Sequence, residues 1–291
     1  MTPPDVQRAD AASDLWLAAR LDRVRDDVES VTNRSRIDLG AALRERWPDG
    51  DAPITLADVP QVRQIVNLRM DALGRELATL TREARREIQA RAVEDVARVF
   101  VSATSGDMDQ VVALLRSAIP DVEPDAARHA IDLGGVLGRH ALASAVQRES
   151  RAVMVRRLMG QVAAKVPRIS AALDIDASLA YHATAQTSME TAASAPQPAA
   201  RVVFMKQDVE VRDAKNHPIS RVLNGQTVKI QAPFVAKIAD VEREAASLGR
   251  STGAGAVLWS RKSDSWVGMT LPAHFNERGR VRMVAMNWLE G

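Results

Sequence analysis

The chain has 291 residues, 46% of them hydrophobic and 26% charged, which is a globular composition with enough length for one large domain or two ordinary ones. It has no cysteine, so disulfides, cysteine–zinc sites and thiol catalysis are excluded. The net charge of +2 hides a division: residues 1–200 carry 25 basic and 28 acidic side chains, a net of −3, and residues 201–291 carry 14 and 9, a net of +5.

The first residues are polar with two prolines and lack the basic start and apolar run of a signal peptide. No stretch approaches about 18 apolar residues, so no membrane span is expected. Leu15, Leu17, Leu21, Val24 and Val28 recur at helical spacing and predict a helix over 14–31. A second, over 35–47, stops at Pro48, Asp49 and Gly50, and 51–60 reads as a connector. Next comes the clearest element. Val66, Met70, Leu73, Leu77, Leu80, Ala84 and Ile88 form a near-heptad stripe with charged residues on the other faces. It predicts one helix over about 60–102, a rod of roughly 60 Å that packs along its own domain or on another chain. Further helices are expected over 107–119, 124–138, 139–160, 161–173 and 177–193.

The segment 191–200, with Pro196 and Pro198 and no charge, reads as a linker. Beyond it the texture becomes β-like. A strand is expected from Val202. Asn224-Gly225 between the runs 219–223 and 226–230 predicts a hairpin whose two turn residues both take positive φ. A helix is expected over 235–248, and strands over 256–259, 266–270 and 280–288. The fold class is therefore α+β: a helical domain over 1–190 with the long helix at its centre, and a small sheet or barrel over 201–291.

No catalytic set stands out. His129, His140, His182, His217 and His274 show no metal-ligand spacing, and the acidic residues interleave with arginines as on solvated helix faces. No cofactor or metal site is expected. Gly249 to Gly255 is glycine-rich enough to hold an anion through backbone N–H groups, but reads better as a loop. Arg278, Arg280 and Arg282 would share one face of a strand, near Trp259, Trp266 and Trp288. They are candidate contacts to nucleic acid, by charge and stacking. The competing reading makes the tryptophans the core of a small module and the arginines its rim.

One stretch carries a resemblance. Residues 208–234 read DVEVRDAKNHPISRVLNGQTVKIQAPF. Val211, Arg212 and Asp213, then Leu223, Asn224 and Gly225, then Pro233 and Phe234, resemble the signature of the phage Mu F-like head morphogenesis family, the minor head proteins. The order of long helices first and this segment late is also similar. The family's histidine falls at Ser220, with His217 three residues earlier, and its closing cysteine-bearing segment is absent. The resemblance implies a non-enzymatic virion component that binds portal or capsid protein during head assembly, sits near packaged DNA, and is found in the virion or in the host cytoplasm. Self-association is compatible with it. The alternative is a nucleic-acid-binding protein that uses the basic β-rich module.

Overall fold

A computed structural model describes residues 3–122, 125–196, 202–209, 217–273 and 279–286. In chain order the helices α1 (Pro4–Arg46), α2 (Val59–Thr104), α3 (Met108–Ser117), α4 (Ala127–Val146) and α5 (Arg151–Ser194) precede strand β1 (Phe204–Val209) and helix α6 (Pro218–Leu223). Strands β2 (Thr227–Lys229) and β3 (Phe234–Lys237), helix α7 (Ile238–Ser247), and strands β4 (Ser260–Lys262), β5 (Ser265–Gly268) and β6 (Arg280–Ala285) follow. The α+β class expected from the sequence is what the chain adopts, with long helices first and a small β-rich part last.

Three expectations about helices are corrected. The predicted pair over 14–31 and 35–47 is the single helix α1: Thr32, between them, turns its hydroxyl back onto the Val28 carbonyl at 2.7 Å and stays within the helix. The break expected at Gly138 falls instead at 147–150: Gly138 is buried within α4, between buried Leu137 and Ala141 on the face that packs into the core. The two helices predicted over 161–173 and 177–193 are joined within α5, which carries Pro167 in its interior. A proline there removes one backbone hydrogen bond. Buried Val162, Val166 and Ile169 anchor the turns around it.

The chain forms two compact units, and they do not follow the expected division at the linker. The helix α5 runs on to Ser194 through the first part of the 191–200 segment. One unit comprises Met1–Leu21, Arg85–Val122 and Ile175–Gly291, and the other Asp22–Ala84 and Glu123–Asp174. The long helices α1, α2 and α5 each contribute one stretch to either unit.

The second unit is a helical bundle. Val28, Leu39 and Leu43 of α1, Val66, Met70, Leu73 and Leu77 of α2, Leu133 and Leu137 of α4, and Leu158 and Val162 of α5 share one core. Most of the near-heptad stripe is therefore already buried inside this unit, with Leu80 packed at its edge. Gly134 lies close enough to Met70 that a Cβ would come within 3.3 Å of that side chain. The connector at 50–54 zips onto the turn before α5: Ile54 N–H donates to the Glu149 carbonyl, Arg151 N–H to that of Ala52, and Ala152 N–H to that of Gly50.

The first unit combines helix and sheet. β1 is the central strand of an antiparallel sheet of order β2-β1-β6, and β5 is the centre of a second, of order β3-β5-β4. Phe100 of α2 stacks on Phe204 of β1 with ring centroids 5.4 Å apart. Leu115, Tyr181, Ile219, Leu223, Phe234, Trp266 and Val281 belong to the same core. Two strand expectations shift here. The helix predicted from Val235 begins at Ile238, after a four-residue strand, and 254–256 is a 3-10 turn, with the strand following at Ser260.

Candidate functional site

The segment that carries the family resemblance is not a hairpin. Pro218 occupies the first position of α6, where its missing N–H costs nothing, and His217 caps the helix, its Nδ1 accepting from Ile219 N–H at 3.3 Å. Apolar Ile219 and Leu223, which read as strand, instead face inward from this short helix. Asn224 takes φ −52°, ψ 119°, Gly225 takes φ +85°, and Gln226 N–H donates to the Leu223 carbonyl at 2.7 Å. That is a type II turn, in which only the second central residue needs positive φ.

Gly225 N–H then donates to the Asp208 carbonyl of β1, and Asp208 N–H to that of Gln226. The Gln226 side-chain amide pairs with both backbone groups of Val235, at 3.0 Å each way. Thus Leu223, Asn224, Gly225 and Phe234 are brought together: the first and last are fully buried, and Pro233 is half-buried beside them. Val211, Arg212 and Asp213 lie outside the described residues. At Gly225 no atom stands within 4 Å of where a Cβ would be, so the backbone alone demands glycine. Gly225→Ala is expected to lower stability by about 1 kcal/mol, read as a shift in the urea midpoint with unchanged slope.

Phe234 faces Lys206. The Lys206 ammonium lies 5.2 Å from the centre of the Phe234 ring and donates to Gln186 Oε1 of α5 at 3.1 Å and to the Met269 carbonyl. Gln186 donates in turn to Glu190 and to the Ile230 carbonyl. Lys206 is completely buried, and desolvation, only partly opposed by Glu190, pushes its pKa down to about 8. The fold therefore favours the neutral amine, and this group's contribution to stability rises with pH between about 8 and the unfolded value near 10.4. Against Lys206→Met, the wild type is expected to gain about 2 kcal/mol between pH 7 and pH 9.5, measured by urea unfolding at each pH.

A second polar cluster joins β6 to α1. Arg280 is 2% exposed, its Nη2 is 2.9 Å from Asp10 Oδ1, and its Nε donates to Asp14. Arg282 donates from Nη1 to Asp10 at 2.9 Å and from Nε and Nη2 to Gln207, its direct neighbour on β1. The expectation that Arg280 and Arg282 share one face is right, but α1 covers that face with carboxylates. Neither forms part of an open row for phosphates, and Arg278 lies outside the described residues. Burial raises the Asp14 carboxyl above its ordinary value, with Arg280 only partly offsetting it. Burial opposes the Arg280 charge, and the Asp14, Asp10 and Asp95 carboxylates outweigh it, so the guanidinium is held protonated.

Beside this cluster Asp95 of α2 accepts from Ser13 at 2.6 Å and from the Tyr181 hydroxyl at 2.8 Å, and pairs with Arg91 and Arg98. Burial first, and the Asp95 charge next, hold the Tyr181 phenol neutral. These residues carry no local motif. The one signal was β1 itself, whose inward positions are Phe204, Lys206 and Asp208.

The four described histidines belong to three helices. His129 and His140 lie on α4 in the helical bundle, whereas His182 is buried on α5 against Tyr181 in the other unit. His217 packs against Gly253, where a Cβ would come within 2.4 Å of its Nε2; Gly253 also has φ +58°, so this loop closes over the ring. His274 lies outside the described residues. Among the described residues no group of three His, Asp or Glu side chains has the geometry to hold a metal ion. No described helix is long and apolar enough to cross a membrane. Trp266 is buried and Trp259 donates to the Thr270 carbonyl at 2.9 Å, so both serve the module's interior, while Trp288 lies outside the described residues.

Compared with known proteins, the chain matches no family model, no curated protein and no solved structure.

Proposed function

We propose that this chain is a structural component of a phage or prophage head, a minor head protein that binds portal or capsid protein during assembly and performs no chemistry of its own. The observation that supports this reading most is the packing of the segment resembling the Mu F-like signature. Its described residues, Leu223, Asn224, Gly225, Pro233 and Phe234, fold into one knot tied to β1 by the Gly225 and Asp208 backbone bonds. Gln186 fastens the same knot to α5 through the Ile230 carbonyl. A signature used to build a fold looks like this: among its described residues, Leu223 and Phe234 are buried and the turn requires glycine.

The charged residues support the same reading. Arg280, Arg282, Asp10, Asp14, Asp95 and Lys206 are engaged with one another or with backbone and amide groups. That arrangement weakens the nucleic-acid alternative, which needed Arg280 and Arg282 free to meet phosphates. The test is co-expression with the portal protein and the major capsid protein of the same element, followed by affinity purification and size-exclusion chromatography. Co-elution with either at fixed stoichiometry is the expected result. A monodisperse monomer that co-elutes with neither, and is absent from purified particles, overturns the reading.

A further inference from the structure

The helical bundle carries a cleft of about 470 Å³ where the end of α1 meets the start of α5. Its floor is apolar, built by Trp47, Val155 and Met159, and Arg44, Arg151 and Arg156 stand around it. Arg151 has one carboxylate nearby, Asp58 at 3.9 Å. Among the described residues Arg44 and Arg156 make no ion pair, and both are exposed.

The backbone at this place is already satisfied. Arg151 and Ala152 donate to the Ala52 and Gly50 carbonyls, and Val153 N–H is met by the Ser150 hydroxyl. The start of α5 therefore offers no free N–H groups, and any anion must be held by the arginine side chains. Two acids lie near: Asp58, which faces Arg151 and accepts from the Trp47 side chain, and Asp49, which accepts from the Asp51 and Ala52 N–H groups and is directed into its own turn. Arg46 lies over the Trp47 ring and is tied to Gln61. Trp47 is itself only 7% exposed, so it offers an edge to an inserted side chain rather than a face on which a base stacks.

We propose that this cleft is a docking site for an acidic, apolar-tipped segment of another protein: one leucine, methionine or aromatic side chain enters against Trp47, Val155 and Met159, and flanking carboxylates meet Arg44, Arg151 and Arg156. The charge is complementary to such a segment, and arginine forks suit carboxylates. The apolar floor favours an inserted side chain over a nucleic-acid backbone, whose phosphates are bound mainly by charge. The inference does not depend on the head-assembly reading.

The test uses the full chain and four capped hexapeptides of the form Asp-Glu-X-X-Asp-Glu, with X as Leu, Met, Phe or Trp, each beside its Asn/Gln counterpart. Binding is followed by calorimetry and by the indole N–H resonance of Trp47, assigned with Trp47→Phe. At least one acidic peptide is expected to bind, to shift that resonance and to weaken with salt. Its amide counterpart should not bind. Arg44→Glu with Arg156→Glu should weaken binding by about tenfold or more, whereas Arg243→Glu, whose side chain is exposed on α7, should leave it unchanged. The proposal is overturned if no acidic peptide binds at about 1 mM. It is equally overturned if the double variant binds as the wild type does, or if a single-stranded oligonucleotide displaces the peptide and binds more tightly. Self-association of the wild type that the double variant abolishes would make a second copy the occupant and overturn it too.

Discussion

Replacing Arg280 with alanine is expected to destabilise the protein by about 3 to 5 kcal/mol. Arg280 is almost wholly enclosed and is the shared partner of Asp10 and Asp14. Its Nη2 also donates to the Asp10 carbonyl at 3.0 Å. Deleting it leaves two carboxylates in a poorly solvated place, one of them already raised by burial. The loss is therefore dominated by uncompensated charge rather than by missing attraction. Two further measurements separate these terms. In Arg280→Met combined with Asp14→Leu, most of the stability should return, because an apolar pair of similar volume replaces a buried ion pair at little net cost. The wild-type value should also change little between low and high salt, since a buried pair is poorly screened. Equal destabilisation in the single and double variants would show that Arg280 acts by packing alone. Arg282→Ala should cost less, because Arg282 is partly exposed and its partner Asp10 keeps Arg280.

Much of the α-helical part was legible, and the reason is local. The run Val66, Met70, Leu73, Leu77 keeps one face apolar at spacings of three and four, and no proline interrupts it, so α2 emerges nearly at its observed limits. Helix α5 was not legible as one element, because Gly160 and the polar stretch at Asp174 and Asp176 read as breaks, whereas Asp174 is buried and paired with Arg25 of α1, a partner that the local sequence does not display. The Asn224-Gly225 pair misled for a related reason. It satisfies a type I′ turn and a type II turn alike, and what decides between them is Pro218, six residues earlier, starting a helix where apolar residues suggested a strand.

The interleaving of the two compact units depends on which stretches of α1, α2 and α5 meet, and no local pattern encodes it. The candidate site follows the same division. The turn residues Leu223 to Gly225 were visible as a motif. The pairs that fix the polar centres around it, Lys206 with Gln186 and Arg282 with Asp10, lie 20 and 272 positions apart in sequence. Arg280 reads as a surface residue in sequence because its strand alternates with arginine. Only the α1 carboxylates, near the other end of the chain, make it an interior one.

Phe234→Ala is the companion test at the other polar centre, with an expected loss of about 3 to 5 kcal/mol in urea unfolding. Phe234 is fully buried at the start of β3, near-parallel to Trp259 at 6.4 Å between centroids and facing the Lys206 ammonium. Truncation removes apolar contact, empties a volume bordered by the Trp259 ring, and strips Lys206 of a favourable neighbour while leaving it buried. The charged lysine should then be harder to accommodate. The variant's deficit should accordingly be larger at pH 7 than at pH 9.5, where the amine is mostly neutral in the fold. Phe234→Leu keeps most of the volume and is expected to cost about 1 kcal/mol. Phe234→Ala combined with Lys206→Met should recover part of the loss at pH 7 and none of it at pH 9.5, a split that a cavity without the lysine contact could not produce. If both variants kept wild-type stability, Phe234 would have no structural role, and its place in the signature would have to rest on contact with a partner instead.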